Sequence, residues 1–434
     1  MKRIPTLFLL FLIAFVFAAG ASAVDYAVNA VTVSENAVTV NVTAQSDCAL
    51  WVAAYDASGV MLAADGVSVS GGPAAQTLTL NFADIPSDAY AKAFLFDKET
   101  FHSLCVPNDS IVYTEDVYAI LYNDGTLVFQ HGDTPESGRD VIKTYAVDMT
   151  GSYEIDPATP WYGDCGSIQQ VEFVDKIRPK STAYWFYMCE RLQEIKNLTY
   201  LDTSDVSTME SMFNGCQSLA ALDLSAFDTS KVTTMRGMFQ ACASLTALDL
   251  RSFDTSNVTD MSYLFYWCSA LTALDLGGFR TSNVTDMSYL FYQCVALTAL
   301  DLSAFDTSNV TDMSRMFDHC ARLTALNLSS FDTSNVIRMG SLFNYCTALT
   351  ALDLSSFDTS NVTDMDNMFN KCSYLVTIFV SGQFVTDNVV SGGLFFGCVS
   401  IVGGADTRYD NHHFGVDYAH IDGGRSNPGF FTAK

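Results

Sequence analysis

The chain carries 22 Lys and Arg against 48 Asp and Glu over 434 residues, a formal net charge of −26. Such a balance excludes nucleic acid and anionic membrane surfaces as partners, because both need cationic contacts. It suits solubility outside a cell and neutral or basic partners, and the length leaves ample material for two cores.

Lys2 and Arg3 precede an apolar run over residues 7–19, followed by Ala21-Ser22-Ala23. This pattern predicts a secretory signal peptide over residues 1–23, cut before Val24. The run is short for a membrane span. No cysteine follows it to take a lipid anchor, and neither a second hydrophobic stretch nor a sorting tail stands near Lys434. The expected destination is extracellular, secreted or associated with a cell surface.

From 24 to 107, Val38/Val40/Val42, Leu78/Leu80/Phe82 and Phe94/Phe96 alternate with polar or small residues, and turn clusters such as Ser70-Gly71-Gly72-Pro73 separate them. Short alternating strands over this length predict a small all-β sandwich, immunoglobulin- or fibronectin-III-like. Residues 108–188 are expected to form an N-terminal cap on the repetitive region. Within them Tyr122-Asn123-Asp124-Gly125-Thr126 marks a hairpin turn of the Asp-Gly type, and Val171-Glu172-Phe173-Val174 a strand.

Residues 189–401 are repetitive. Cysteines stand at 189, 216, 242, 268, 294, 320, 346, 372 and 398, the first step 27 residues and every later one 26. The unit is clearest at 297–322, LTALDLSAFDTSNVTDMSRMFDHCAR. Leu300 and Leu302 should point inward while Ala299, Asp301 and Ser303 face solvent, by strand alternation. Asp306, Thr307 and Ser308 supply turn chemistry. Met313, Met316, Phe317 and Cys320 have the i, i+3, i+4, i+7 spacing of a helical stripe. Thr311 then serves as N-cap with Asp312 in the first turn, and Ser207-Thr208-Met209-Glu210 reads as a capping box. The fold class predicted is an α/β repeat solenoid with one short parallel strand and one short helix per 26-residue copy, elongated and curved. Residues 402–434 lose the repeat and should close the last copy.

The unit LTALDLSxFDTSNVTDMSxxFxxC, the Trp185-Phe186 pair entering the first copy and the ending IDGGRSNPGFF at 421–431 resemble the BspA-like leucine-rich-repeat surface proteins of bacteria. The likeness runs from about residue 117 to the C-terminus. It implies surface-exposed or secreted proteins, some adhering to host matrix proteins, with no enzymatic activity. Ordinary leucine-rich repeats carry Asn or Cys where this chain has Phe227, Phe253, Phe279, Phe305, Phe331 and Phe357, so an aromatic spine is expected in place of an asparagine ladder.

Twelve cysteines in an exported chain would normally suggest disulfides. Here the repeat cysteines share a stripe with Met and Phe, and helices of neighbouring copies would lie about 8–10 Å apart, beyond the roughly 7 Å a disulfide spans. They are expected to be reduced, buried thiols. Cys48 and Cys105 form a candidate pair in the sandwich, and Cys165 has no obvious mate.

Two surface constellations stand out. Tyr263, Tyr266 and Trp267 on one copy and Tyr289 and Tyr292 on the next should form an exposed aromatic patch, suited to a protein interface or to sugar stacking; the plainer alternative is packing that covers the copies. Asp223, Asp249, Asp275, Asp301, Asn327 and Asp353 should form an acidic strip whose carboxylates repel, raising their pKa or inviting cations; the plainer alternative is a solubilising ladder. Asp254-x-Ser256-x-Val258-x-Asp260 lacks the glycine and ligands of a calcium loop. Asp410, His412, His413, Asp417, His420 and Asp422 show no metal-ligand spacing. Asn257, Asn283, Asn309 and Asn361 match glycosylation sequons, but their recurrence at the repeat period points to a turn role.

No catalytic constellation, cofactor motif or metal site is expected. The function expected is non-enzymatic adhesion or binding of an extracellular protein, such as a host matrix protein or mucin, through the repeat surface. The alternatives are a carbohydrate- or cell-wall-binding module and, behind it, a hydrolase with an unrecognised site.

Overall fold

The computed structural model describes residues 117–149, 159–389 and 391–434, together with the backbone of seven strands before them. The expected leader, and Cys105 of the candidate Cys48–Cys105 pair, lie outside the described residues. The chain divides into two units, 1–116 and 117–434. Among the described residues it is mostly sheet, a repeat fold of many short strands and bridges.

In the first unit the strands are β1 (Tyr26–Ser34), β2 (Ala37–Ala44), β3 (Cys48–Tyr55), β4 (Met61–Val69), β5 (Gly72–Asn81), β6 (Tyr90–Asp97) and β7 (Val112–Tyr113). They form two sheets, ordered β5-β2-β1-β7 and β4-β3-β6. Every pairing is antiparallel except β1 with β7.

The second unit opens with a hairpin, β8 (Val117–Tyr122) and β9 (Thr126–His131), and β10 (Val141–Ala146) pairs along β8. Gly125 closes the hairpin at φ 82°, a left-handed conformation that glycine adopts without strain. β11 (Gln170–Phe173) adds parallel to β9, and β12 (Glu194–Lys196), the strand of the first copy, adds parallel to β11. Later copies pair in the same sense through β13 (Ala299–Asp301) with β14 (Ala325–Asn327) and β15 (Ala351–Leu354) with β16 (Thr377–Val380). β17 (Phe431–Ala433) then covers the open edge of β16. As alternation demands, Leu300 and Leu302 are buried while Ala299, Asp301 and Ser303 are exposed.

The expected helix is absent. No α-helix occurs among the described residues, whose only helical segments are four short 3-10 turns. The segment from Met261 to Cys268 is instead two four-residue turns placed end to end. Leu264 N–H donates to Met261 O and Cys268 N–H to Phe265 O. Tyr263 and Trp267 hold the third turn positions with φ of 59° and 61°, as type II turns require. The amides between these donors reach the next copy: Tyr263 to Ser288 O, Phe265 to Leu290 O, Trp267 to Tyr292 O. Consecutive four-residue turns repeat their inward positions at i, i+3, i+4 and i+7, the pattern of a helical stripe. Thr311 and Ser207 therefore cap no helix. Thr311 Oγ1 donates to Thr285 O at 3.2 Å, and Ser207 Oγ donates to Lys180 O at 3.4 Å. Parallel bridges join Thr208, Thr234, Asp260, Asp286, Asp312, Arg338 and Asp364 in succession.

Three internal columns hold the copies together. Phe186, Phe213, Phe239, Phe265, Phe291, Phe317, Phe343, Phe369 and Phe395 stack with centroids 5.5–5.9 Å apart. Rings set nearly edge-on end this stack, Phe129 at one end and Phe430 and Phe431 at the other. The spine expected at Phe227, Phe253, Phe279, Phe305, Phe331 and Phe357 is buried but stacks only in the pairs Phe279–Phe305 and Phe331–Phe357. Threonines form the second column. Buried Thr255 Oγ1 donates to Arg280 O at 3.0 Å and accepts the Arg280 amide at 2.8 Å, and Thr203, Thr229, Thr281, Thr307, Thr333 and Thr359 do the same at their own steps.

Cysteines form the third column. With no helices, neighbouring copies sit at hydrogen-bonding distance, so a wide interhelical gap is not what keeps their sulfurs apart. Each thiol from Cys216 to Cys398 instead donates to the carbonyl of a phenylalanine, as Cys268 does to Phe239 O at 3.1 Å. Burial pushes the Cys268 thiol up to about 12.

Two substitutions separate this arrangement from a helical one. Ala241 sits at φ 56°, so Ala241→Gly should stabilise the chain by about 1 kcal/mol; in a helix the same change would cost about 1 kcal/mol. Thr255→Val leaves a buried amide and carbonyl without their hydroxyl and should cost about 3 kcal/mol, whereas Thr255→Ser should cost under about 1 kcal/mol. Urea unfolding midpoints measure both.

Candidate binding surface

The turns place Tyr263, Tyr266, Trp267, Tyr289 and Tyr292 together. Copies in register bring like positions face to face: Tyr263 stacks on Tyr289, and Tyr266 on Tyr292, each pair with centroids 4.6 Å and planes 10° apart. The Arg236 guanidinium lies 4.8 Å over the Tyr263 ring and that of Arg315 lies 5.6 Å from the Tyr289 ring. Trp267 stands edge-on to Tyr266 and is 51% exposed, whereas the four tyrosines are half-buried. Burial first, and then the neighbouring phenols, raise the pKa of Tyr263 and Tyr266. Each tyrosine thus spends one face on its stacking partner, Arg236 and Arg315 lie against Tyr263 and Tyr289, and the indole of Trp267 is the most exposed of the five rings.

The aromatic surface extends beyond the five expected residues. His319 stacks on Tyr345 at 4.4 Å and approaches Tyr292 at 5.9 Å. Its Nδ1 lies 2.6 Å from Oδ1 of Asp318, a fully buried carboxylate that also accepts from Asn344 Nδ2 at 2.9 Å and faces Arg315 at 3.8 Å. Burial raises the Asp318 pKa, against the opposing pull of His319 and Arg315. The sequence does carry a signal for these residues: Trp267, His319 and Tyr345 occupy one column at multiples of 26, visible once copies are aligned by surface positions as well as by core positions.

The acidic strip behaves differently from the expectation. Asp223, Asp249, Asp275, Asp301, Asn327 and Asp353 are all exposed, yet Asp223, Asp249, Asp301 and Asp353 lie below the ordinary carboxylate value, not above it. Hydrogen bonds from Ser225 hold Asp223 low, those from Arg251 take Asp249 to about 2, and those from Ser303 lower Asp301. At Asp353 burial pushes upward, and the hydrogen bonds of Lys434 and Ser355 outweigh it. Asp275 accepts the Gly277 amide at 3.1 Å and Asn327 donates to Asp301 at 3.1 Å. These acids cap turns, and local donors outweigh mutual repulsion.

The other motifs resolve in the same way. Asp254 and Asp260 accept the amides of Ser256 and Ser262. Asn257, Asn283, Asn309 and Asn361 each donate Nδ2 to a serine carbonyl of the preceding copy at 2.7 Å. In the C-terminal segment, Asp410 pairs with His412 at 2.9 Å and His413 at 3.5 Å, and His420 Nδ1 lies 3.0 Å from Ile421 O. Asp422 accepts from Ala405, Thr407 and Gly424; burial opposes ionisation, and these bonds nevertheless bring its pKa to about 2. A shallow depression lined by Asn309, Thr311, Asn335, Ile337, Asn361 and Thr363 has its asparagine amides and threonine hydroxyls already bonded to the preceding copy.

A family described as a Mycoplasma protein of unknown function, DUF285, matches residues 180–299 and 288–396. No curated protein and no solved structure matches the chain.

Asp318 provides a pH test of this surface. Its folded pKa lies above the ordinary 3.8, so the folded state binds the extra proton, and its contribution is lost as pH rises through the folded value. Asparagine occupies the same column at 214, 344 and 370. Asp318→Asn should therefore raise stability by about 1 kcal/mol at neutral pH, with an advantage over the wild type that shrinks as pH falls toward 4. Urea midpoints across that range measure it.

Proposed function

The chain belongs to the DUF285 family, which has no assigned function, and we propose that it is an exported, non-enzymatic binding protein that holds an extracellular protein on the aromatic face of its repeats. The observation that carries this reading is Trp267, 51% exposed beside four ordered tyrosines on two adjacent copies. An indole backed by pre-stacked rings offers a large apolar contact that loses little side-chain freedom on binding. A net charge of −26 favours a neutral or basic partner. The charged amino terminus and apolar run of residues 1–19 support export.

The finer account of the fold belongs to the same proposal. Parallel bridges at every 26-residue step, and core columns that run through all copies, support one continuous solenoid akin to the BspA-like leucine-rich-repeat surface proteins. The two sheets of the first unit support a small immunoglobulin-like sandwich that carries or spaces the repeats.

A carbohydrate ligand is the second reading, favoured by Trp267 alone. Sugar stacking needs an open ring face, and each of the four tyrosines spends one face on its stacking partner. The purified chain is expected to bind one or more proteins in a panel of extracellular matrix proteins and mucin. Tyr266→Ala with Trp267→Ala should weaken that binding at least about tenfold, the equivalent of about 1.4 kcal/mol. Unchanged affinity in the double variant removes the aromatic face as the site. Saturable binding on a glycan array that Trp267→Ala abolishes would move the assignment to sugar.

A further inference from the structure

We propose that Cys165 and Cys189 form a disulfide tying the segment ahead of the repeats to the first copy. Eight repeat thiols, from Cys216 onward, have a phenylalanine carbonyl of an earlier copy as acceptor. Cys189 belongs to the first copy, so no such carbonyl precedes it. Its Sγ lies 2.8 Å from Sγ of Cys165, closer than two unbonded sulfur atoms rest, and both residues are buried. Independent contacts hold the two segments in register. Trp161 Nε1 donates to Trp185 O at 2.6 Å, and the two indoles meet edge-on at 6.1 Å. Cys165 itself sits in the 3-10 turn Tyr162–Ser167, which the Ile168 amide closes onto Cys165 O.

The bond closes a loop between residues 24 apart and serves where the stack most needs it. A terminal copy has a neighbour on one side only, and its stability depends on what covers the other. Two thiols lose two protons and two electrons, and a low-molecular-weight disulfide such as oxidised glutathione takes up the electrons. One thiolate attacks the oxidant, forming a mixed disulfide and releasing one thiol; the second attacks the protein-bound sulfur and releases the other. Burial pushes the Cys189 thiol far above its ordinary range, so the exchange takes place before the segment closes over the pair. An oxidising compartment, where export would deliver the chain, suits the bond.

The test is peptide mapping of the full chain, refolded from denaturant in a glutathione redox buffer and alkylated without reduction. The expected result is one cross-linked peptide pair joining Cys165 to Cys189, with the cysteines from 216 to 398 alkylated singly. Separate alkylation of Cys165 and Cys189, or a cross-link from Cys189 to Cys216, overturns the proposal. As a second measurement, Cys165→Ser should melt about 5 °C below the oxidised wild type, and the gap should narrow when both are refolded in reductant. A gap that reductant leaves unchanged would reflect packing alone and overturns the bond.

Discussion

Amides shared between copies are the constraint on which the second unit rests. A tight turn satisfies one backbone donor and leaves the next one pointing away. In the segment from Met261 to Cys268 those outward donors are at Tyr263, Phe265 and Trp267, and each finds a carbonyl in the following copy. A single copy would expose them to water and gain almost nothing from folding. Stacking supplies every partner at once, so chain length of the repeat, register and turn geometry are all set by the same bonds. The first step between cysteines is one residue longer than the rest, yet Phe186 N–H meets Met212 O just as Phe213 N–H meets Met238 O in the next copy.

Register explains why like residues align in columns. Phenylalanine meets phenylalanine at 5.5–5.9 Å, each threonine hydroxyl both gives to and takes from the next copy's backbone, and each thiol past the first finds a carbonyl. Neighbour terms of this kind add along the stack, while the two ends lack one neighbour each. The chain meets that deficit with different chemistry. Edge-on rings from Phe129, Phe430 and Phe431 stop the phenylalanine column, β11 and β17 take up the exposed strand edges, and a sulfur from outside the repeats meets Cys189.

The period, the inward leucines, the turn role of the asparagines and the clustering of the five aromatics could all be read from the sequence, because each depends on spacing alone. The local conformation could not. Met261, Leu264, Phe265 and Cys268 satisfy both a helix of 3.6 residues per turn and a chain of four-residue turns, and hydrophobic spacing does not separate the two. Glycine carried the missing information. Gly215, Gly237, Gly393 and Gly397 fall at the positions that Tyr263 and Trp267 hold with positive φ, and a helix has no reason to admit glycine at just those two columns. The acidic strip failed for a related reason: repulsion was weighed between copies, while the deciding donors, Ser225, Arg251 and Ser303, lie two residues away in the same copy.

Those two left-handed columns also bear on recognition. Their backbone is held by bonds to the next copy whatever the side chain, and one of them holds Gly215, Ala241, Gln293 and Lys371 as well as Trp267. A non-glycine residue there costs about 1–2 kcal/mol in backbone strain, so stability alone would fill them with glycine. Tyr263, Tyr289, Trp267 and Tyr345 are among the least suitable occupants on that score. Mutual stacking offsets the cost for Tyr263 and Tyr289. Trp267, 51% exposed, meets Tyr266 edge-on and has no stacked ring partner among the described residues. A bulky aromatic at a left-handed surface position, with half of its area open to solvent, is the feature of the repeats on which the proposed contact with a partner rests.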